Sequence, residues 1–167
     1  MPDGTASIWV QGRRRLRLTQ IVQEDPFVVA QVAPLTESVE EGLSTEAMMR
    51  AVLALFEKVV QLSHNIPEDA YVAAVNADEP GLLADLVASV LNLSMAERQE
   101  FLETADVTQR LQKLSIELGS ELDVLELENR IQSQVQQEID KSQREYFLRE
   151  QMRVIQNELG ENDPQDR

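Results

Sequence analysis

Cysteine is absent from these 167 residues, which excludes a disulfide framework and any thiolate metal site and is compatible with a reducing cytosol. Aromatic residues are scarce: four Phe, two Tyr and one Trp, so a core drawn from the 43% of hydrophobic residues must be mainly aliphatic. Histidine occurs once, as His64, on the polar side of a helical segment near its end. One imidazole without cysteine does not make a zinc site, and a solvated helix-terminal histidine is the simpler reading. The six glycines stand alone, at positions 4, 12, 42, 81, 119 and 160, and none leads into a Lys-Ser/Thr pair. A phosphate-cradling loop needs glycine amides in fixed order before such a pair, so nucleotide binding by this chain is not expected. No apolar run approaches the roughly 18 residues of a membrane span. Met1-Pro2-Asp3-Gly4-Thr5 has neither the basic region nor the apolar run of a secretory signal. A soluble, cytoplasmic chain is expected.

What is abundant is acid. Thirty Asp and Glu stand against fifteen Lys and Arg, a net charge of −15. That balance opposes general nucleic-acid binding, which needs clustered cations, and favours solubility. The charge is unevenly spread. Residues 1–35 carry a slight basic excess, residues 36–105 hold thirteen acids and three bases, and residues 106–159 hold eleven acids and seven bases of mixed order.

Period changes with charge. In 1–35, Ser7-Ile8-Trp9-Val10 favours a strand, Gln11-Gly12 a turn, and Leu16, Leu18 and Gln20 alternate with Arg15, Arg17 and Thr19. Asp25-Pro26 breaks that second strand and Phe27–Ala33 supplies a third. The three strands predict a thin meander that needs a helix or further strands to be stable. In 36–105, Ser44 is placed to cap a helix with Met48, Val52, Leu55, Val59 and Leu62 on one face. Pro67 opens a short second helix, Asp78 caps a third, and Ser94-Met95-Ala96-Glu97 is a capping box for a fourth. Short connections between them predict a compact acidic bundle.

From Asp106, a cap with Gln109 three residues on, there is no proline before Pro164 and only Gly119 interrupts. A continuous helix over 106–160 would run roughly 80 Å at 1.5 Å per residue. Val107, Leu111, Leu114, Leu118, Leu122 and Leu125 form one stripe, with Ile116, Val124 and Leu127 beside it, broad enough for burial on the bundle. The middle keeps only Ile131, Val135 and Ile139, the narrow seam of a projecting helix or coiled-coil partner. Leu148, Met152, Ile155 and Leu159 follow at spacings of four, three and four, and Gly160 suits a left-handed cap. Residues 161–167 read as a linker or tail. The expectation is an α+β chain, predominantly α: a partial β meander over 1–35, a bundle over 36–105, and a long helix over 106–160, its first half packed and its second projecting.

No catalytic apparatus is visible. Lys141-Ser142 are neighbours that point about 100° apart on a helix and form no dyad. Acidic pairs such as Asp78-Glu79 and Glu40-Glu41 read as solvated surface. Arg13-Arg14-Arg15-x-Arg17 is the one basic cluster. In a strand it puts Arg13, Arg15 and Arg17 on one face, either an anion or DNA patch or a solvated face that discourages edge pairing.

The run Lys141-Ser142-Gln143-Arg144-Glu145-Tyr146-Phe147-Leu148-Arg149-Glu150-Gln151-Met152, on to Glu161, resembles the segment joining the N-terminal domain of Lon-type ATP-dependent proteases to their ATPase module. Asp3-Gly4-Thr5 with Val10-Gln11-Gly12, Ile66-Pro67-Glu68, Pro80–Asp85 and Asp106–Leu111 resemble other parts of the same region, so the likeness covers nearly the whole chain. It implies the N-terminal region of a Lon-type protease, with a PUA-like β subdomain begun by strands before Met1. ATP, magnesium and a Ser–Lys dyad would belong to domains after Arg167, leaving this chain without cofactor or catalysis. The family's N-terminal region helps select unfolded or damaged proteins and order a hexameric ring. The residues offered for such contacts are Tyr146, Phe147, Leu148, Met152 and Ile155, Met and aromatics being suited to varied apolar partners. The alternatives are a purely structural spacer or oligomerisation helix, and anion or DNA binding through Arg13, Arg15 and Arg17.

Overall fold

The computed structural model describes residues 6–8, 10, 12–40 and 42–160. Their elements are β1 (Leu16–Gln23), β2 (Val29–Pro34), α1 (Leu43–Leu62), α2 (Glu68–Val75), α3 (Pro80–Val90), α4 (Met95–Glu103) and α5 (Val107–Glu158). The class is α+β with helix predominating. The chain divides into two compact units, Met1–Ser120 and Glu121–Arg167, and α5 contributes to both.

In the first unit the sheet has, among the described residues, two antiparallel strands where three were expected. Ser7, Ile8 and Val10 lie outside any strand, while Trp9 and Gln11 fall outside the described residues. A β-favouring run becomes a strand only against a partner, and Ile8 and Val10 are exposed without one. β1 starts at Leu16, later than the arginine run suggested, and continues to Gln23, with the turn to β2 containing a cis Asp25–Pro26 bond.

The helices begin where backbone chemistry allows, which is not always where a capping side chain was expected. Ser44 lies inside the first turn of α1, and Gly42 is the N-cap residue without a side-chain bond. Thr45 is the buried polar residue there, its hydroxyl donating to the carbonyl of Glu40. Asp78 does not cap α3: Glu79 takes that place and Pro80 stands in the first turn, where its missing N–H costs nothing. The other two signals hold. Glu97 N–H donates to Ser94 Oγ at 3.3 Å and Ser94 N–H to Glu97 Oε2 at 2.6 Å. Gln109 N–H donates to Asp106 Oδ1 at 3.0 Å. A further free amide of α5 is taken by the chain itself, Val107 N–H donating to Ser38 O at 3.0 Å in a parallel bridge that ties residues 38 and 106.

The core is aliphatic with two phenylalanines. Val52, Phe56 and Val59 of α1, Leu83 and Val87 of α3, Phe101 of α4 and Val107, Leu111, Leu114 and Leu118 of α5 are all buried. Phe56 and Tyr71 meet with ring centroids 6.3 Å apart. Each fully buried aliphatic side chain contributes roughly 1.5–3 kcal/mol. The residues placed beside the α5 stripe do not share its burial. Ile116, Val124 and Leu127 are exposed, because at about 100° per residue they fall 100–180° away from it.

In the second unit α5 continues unbroken, having passed Gly119, which has nothing within 4 Å of where a Cβ would stand. Gly160 closes the helix at φ 72°, the left-handed conformation its lack of a Cβ permits. The expected tail, 161–167, lies outside the described residues.

Candidate binding surfaces

Continuous helix through 158 divides the five proposed contact residues among different faces. Leu148, Met152 and Ile155 fall within an arc of about 60° together with Leu159. Phe147 lies about 100° to one side, next to Val154 seven residues on, and these two border a shallow depression with Glu150, Gln151 and Ile155. Tyr146 is about 160° from Leu148, on the opposite side, and there it continues the line of Ile131, Val135 and Ile139. Tyr146 also neighbours the pair formed by Arg153 and Glu150, whose hydrogen bond and charge raise the guanidinium pKa further. All five residues are exposed, from 49% for Leu148 to 72% for Tyr146. The second unit therefore carries two apolar rows on opposite helix faces.

A further apolar surface lies on the sheet. Leu16 stands opposite Pro34, Leu18 opposite Val32, and Ile21 opposite Ala30. The register shifts between the second and third of these pairs, at Leu18/Gln20, and again beyond the third, at Ile21/Gln23. A bulge adds one residue to β1, so residues 18 and 21, which strict alternation would put on opposite faces, share one. Thr19 fills the first bulge by donating from Oγ1 to Gln31 O at 3.0 Å. β1 is exposed along its whole length, and among the described residues neither strand packs broadly on a helix. Leu16, Leu18, Ile21 and Val32 thus form an uncovered apolar face. Sequence reasoning missed it because two-residue alternation breaks at the bulges; the signal available was the Leu-x-Leu-x-x-Ile spacing itself.

The arginine cluster is not one surface. Arg13, Arg14 and Arg15 precede β1, and Arg17 lies within it, opposite Ala33. Arg13 and Arg17 are exposed, whereas the Arg15 side chain is only 13% exposed and is held by two carboxylates. Its Nη1 donates to Glu37 Oε1 at 2.5 Å and to Asp85 Oδ2 at 2.8 Å, and its Nη2 to Asp85 Oδ1 at 2.5 Å. The Asp85 hydrogen bond raises the Arg15 pKa further above its already high value, while burial opposes this. Arg110, fully buried, donates to the same acids: Nη1 to Asp85 Oδ1 at 2.8 Å and Nη2 to Glu37 Oε1 at 2.6 Å. Its Nε reaches Thr104 O at 3.3 Å. Two guanidiniums and two carboxylates neutralise one another, so Arg15 has no charge left to offer an outside anion. Nothing in the local spacing marks this cluster, since its four members are separated by up to 95 positions, from Arg15 to Arg110.

A family model described as the ATP-dependent protease La (LON) substrate-binding domain matches residues 1–119. Lon protease 2 of Herpetosiphon aurantiacus is 52% identical over 164 residues, covering 98% of this chain and 20% of that protein. Lon protease of Dictyoglomus thermophilum is 47% identical over 165 residues, covering 99% of this chain and 21% of that protein. Lon protease of Brevibacillus choshinensis is 38% identical over 163 residues, covering 98% and 21%. The chain spans about a fifth of the length of these curated relatives. The family match ends at residue 119, beside the boundary of the first unit at Ser120.

Proposed function

The chain belongs to the family of ATP-dependent protease La (LON) substrate-binding domains, and from that membership we propose that it recognises unfolded or damaged polypeptide by apolar contact. The observation that carries this reading is the apolar sheet face of Leu16, Leu18, Ile21 and Val32, which nothing among the described residues covers and which lies inside the matched residues 1–119. Apolar side chains of an unfolded segment gain roughly 25 cal/mol per Å² by leaving water on such a face. An apolar surface also accepts many sequences, because it imposes few directional bonds. Phe147, Leu148, Met152 and Ile155 offer a second surface of the same chemistry outside the matched residues.

A structural role in subunit assembly is supported by the opposite side of α5, where Ile131, Val135, Ile139 and Tyr146 make a narrow apolar line between polar residues. One helix with two apolar sides can serve assembly and recognition at once. A hexameric arrangement, and the cytoplasmic setting, are part of this proposal. So is the assignment of ATP, magnesium and Ser–Lys chemistry to the four fifths of the relatives that the chain does not span. Anion or DNA binding through Arg13 and Arg17 would proceed without Arg15, which is neutralised in place.

The test is binding of a permanently unfolded, fluorescently labelled protein, followed by anisotropy or co-sedimentation. Leu18→Asp with Ile21→Asp should weaken it at least tenfold, and Phe147→Asp with Met152→Asp by less. Undiminished binding in the first double variant would remove the sheet face from the account. Concentration-dependent self-association without uptake of the unfolded protein would leave only the assembly role.

A further inference from the structure

Among the described residues the sheet has no broad packing on the helices, so its position depends on how its root is held. That root is polar. Leu35 N–H donates to Arg15 O at 3.1 Å where β1 begins and β2 has just ended, and both guanidinium nitrogens of Arg15 used in bonding go to Glu37 and Asp85. We propose that Arg15, Glu37, Asp85 and Arg110 form a releasable joint, in which Arg15 is the removable member that sets the position of the β1–β2 sheet on α3 and the first turns of α5. This goes beyond substrate recognition and stands whichever surface binds polypeptide.

Three observations distinguish a releasable joint from a plain structural ion pair. Arg110 is fully buried, also bonds Thr104 O, and holds both acids through hydrogen bonds of its own that do not involve Arg15. Glu37 and Asp85 keep 34% and 42% of their side-chain surface exposed, so water can replace the bonds they lose to Arg15. With Arg15 gone the cluster passes from neutral to one negative charge at a wet site, which is tolerable. Loss of Arg110 would instead leave both acids to Arg15 alone and strip the interior of its charge partner. Finally, Arg15 Nε is buried and has no hydrogen-bond partner among the described residues, so the closed state leaves one donor of Arg15 unmet that opening returns to water.

Gly81 gives independent access to the same joint. A Cβ there would stand 2.9 Å from Glu37 Oε2, closer than real contacts allow, while its next neighbour, Val107 Cγ2, is at 3.6 Å. Gly81→Ala would therefore displace the Glu37 carboxylate and little else, and alanine suits the helix that holds it. The glycine in α3 is what lets the acid sit between two guanidiniums.

The experiment is a distance measurement in the full chain by pulsed electron resonance. Because the sequence has no cysteine, spin labels attach only where Gln20→Cys and Glu57→Cys place them, one on β1 and one on the exposed side of α1. The account predicts a narrow distance distribution that at least doubles in width in Arg15→Met and broadens less in Gly81→Ala. Arg15→Lys should fall between the native chain and Arg15→Met, since an ammonium keeps the charge but not the forked geometry. Arg17→Met, which removes an exposed arginine outside the joint, should change nothing. The midpoint of helix unfolding should move little in Gly81→Ala, which separates release of the sheet from loss of the fold. A native distribution already as broad as that of Arg15→Met would overturn the proposal, as would an unchanged width in both Arg15→Met and Gly81→Ala. Should Arg15→Met unfold the helices, the width in Gly81→Ala alone decides.

Discussion

Two stretches of α5 share a pattern and differ in fate. Val107, Leu111, Leu114 and Leu118 recur at four, three and four and are fully buried; Leu148, Met152, Ile155 and Leu159 recur at four, three and four and are about half or more exposed. Spacing therefore reports that a segment is helical and one-sided, but not what lies against the side. The distinction is carried by neighbours far away in the chain: the first stretch shares its unit with Val52, Phe56, Val59, Leu83 and Val87, which supply the rest of a core. Around the second stretch the described residues of the same unit from 141 to 160 are exposed, apart from half-buried Glu150. An apolar row without such neighbours is a surface that profits from a partner.

The sharpest way to break the comparison is to truncate one residue in each row. Leu114→Ala should cost about 2–5 kcal/mol of unfolding free energy, through lost burial and the cavity left behind. Met152→Ala should change it by no more than about 0.5 kcal/mol, because its side chain is already largely in water. Urea unfolding followed at 222 nm measures both, and similar costs would mean the second row is packed in solution.

Ser94→Ala tests whether short helices in the first unit depend on their ends, and should cost about 1 kcal/mol. The same box gives a pH dependence. Glu97 titrates below the ordinary glutamate range, first because of its hydrogen bond with the Ser94 side chain and second because of the Ser94 amide. A lowered native pKa means the unfolded chain takes up the proton first, so the contribution is present above the ordinary range and lost as pH falls through the lowered value. Native and Ser94→Ala unfolding curves should accordingly converge on acidification; a constant gap would argue against it.

Gly119 sits between the two stretches, mid-helix, with open space where a Cβ would go. Gly119→Ala should stabilise the helix by roughly 0.5–1 kcal/mol. Thermal scans would show it, and a loss of stability would point to a contact at that position in solution. Smallest of all should be the stability effect of Phe147→Asp with Met152→Asp, near zero by the same urea assay, while any contact those residues make with unfolded protein is lost.

Much of the helical half could be read in advance. The capping box at Ser94 and the side-chain cap at Asp106 declare themselves within four residues, and the buried stripe of α5 within twelve. Ser44 and Asp78 misled because a good capping side chain is only one way to satisfy a helix start, and Gly42 and Pro80 were others. The sheet was harder. Its register depends on two bulges, and its first expected strand lacked a partner among the described residues. The joint at Arg15 was beyond local reading altogether, since an arginine in an alternating run looks solvated until Glu37, Asp85 and Arg110 are brought to it. The membership of the chain in its family was legible from contiguous runs, whereas the surfaces that would do the binding depend on tertiary placement.

Amide hydrogen exchange along the whole chain, with and without a permanently unfolded protein, tests the central claim most directly. The account predicts that amides of Val107–Leu118 exchange only through global unfolding and are indifferent to the added protein. Those of β1 and β2 should exchange readily in the free chain and slow at least several-fold when it is present. Unchanged exchange in the sheet, with slowing confined to residues 146–159 or absent everywhere, would contradict it.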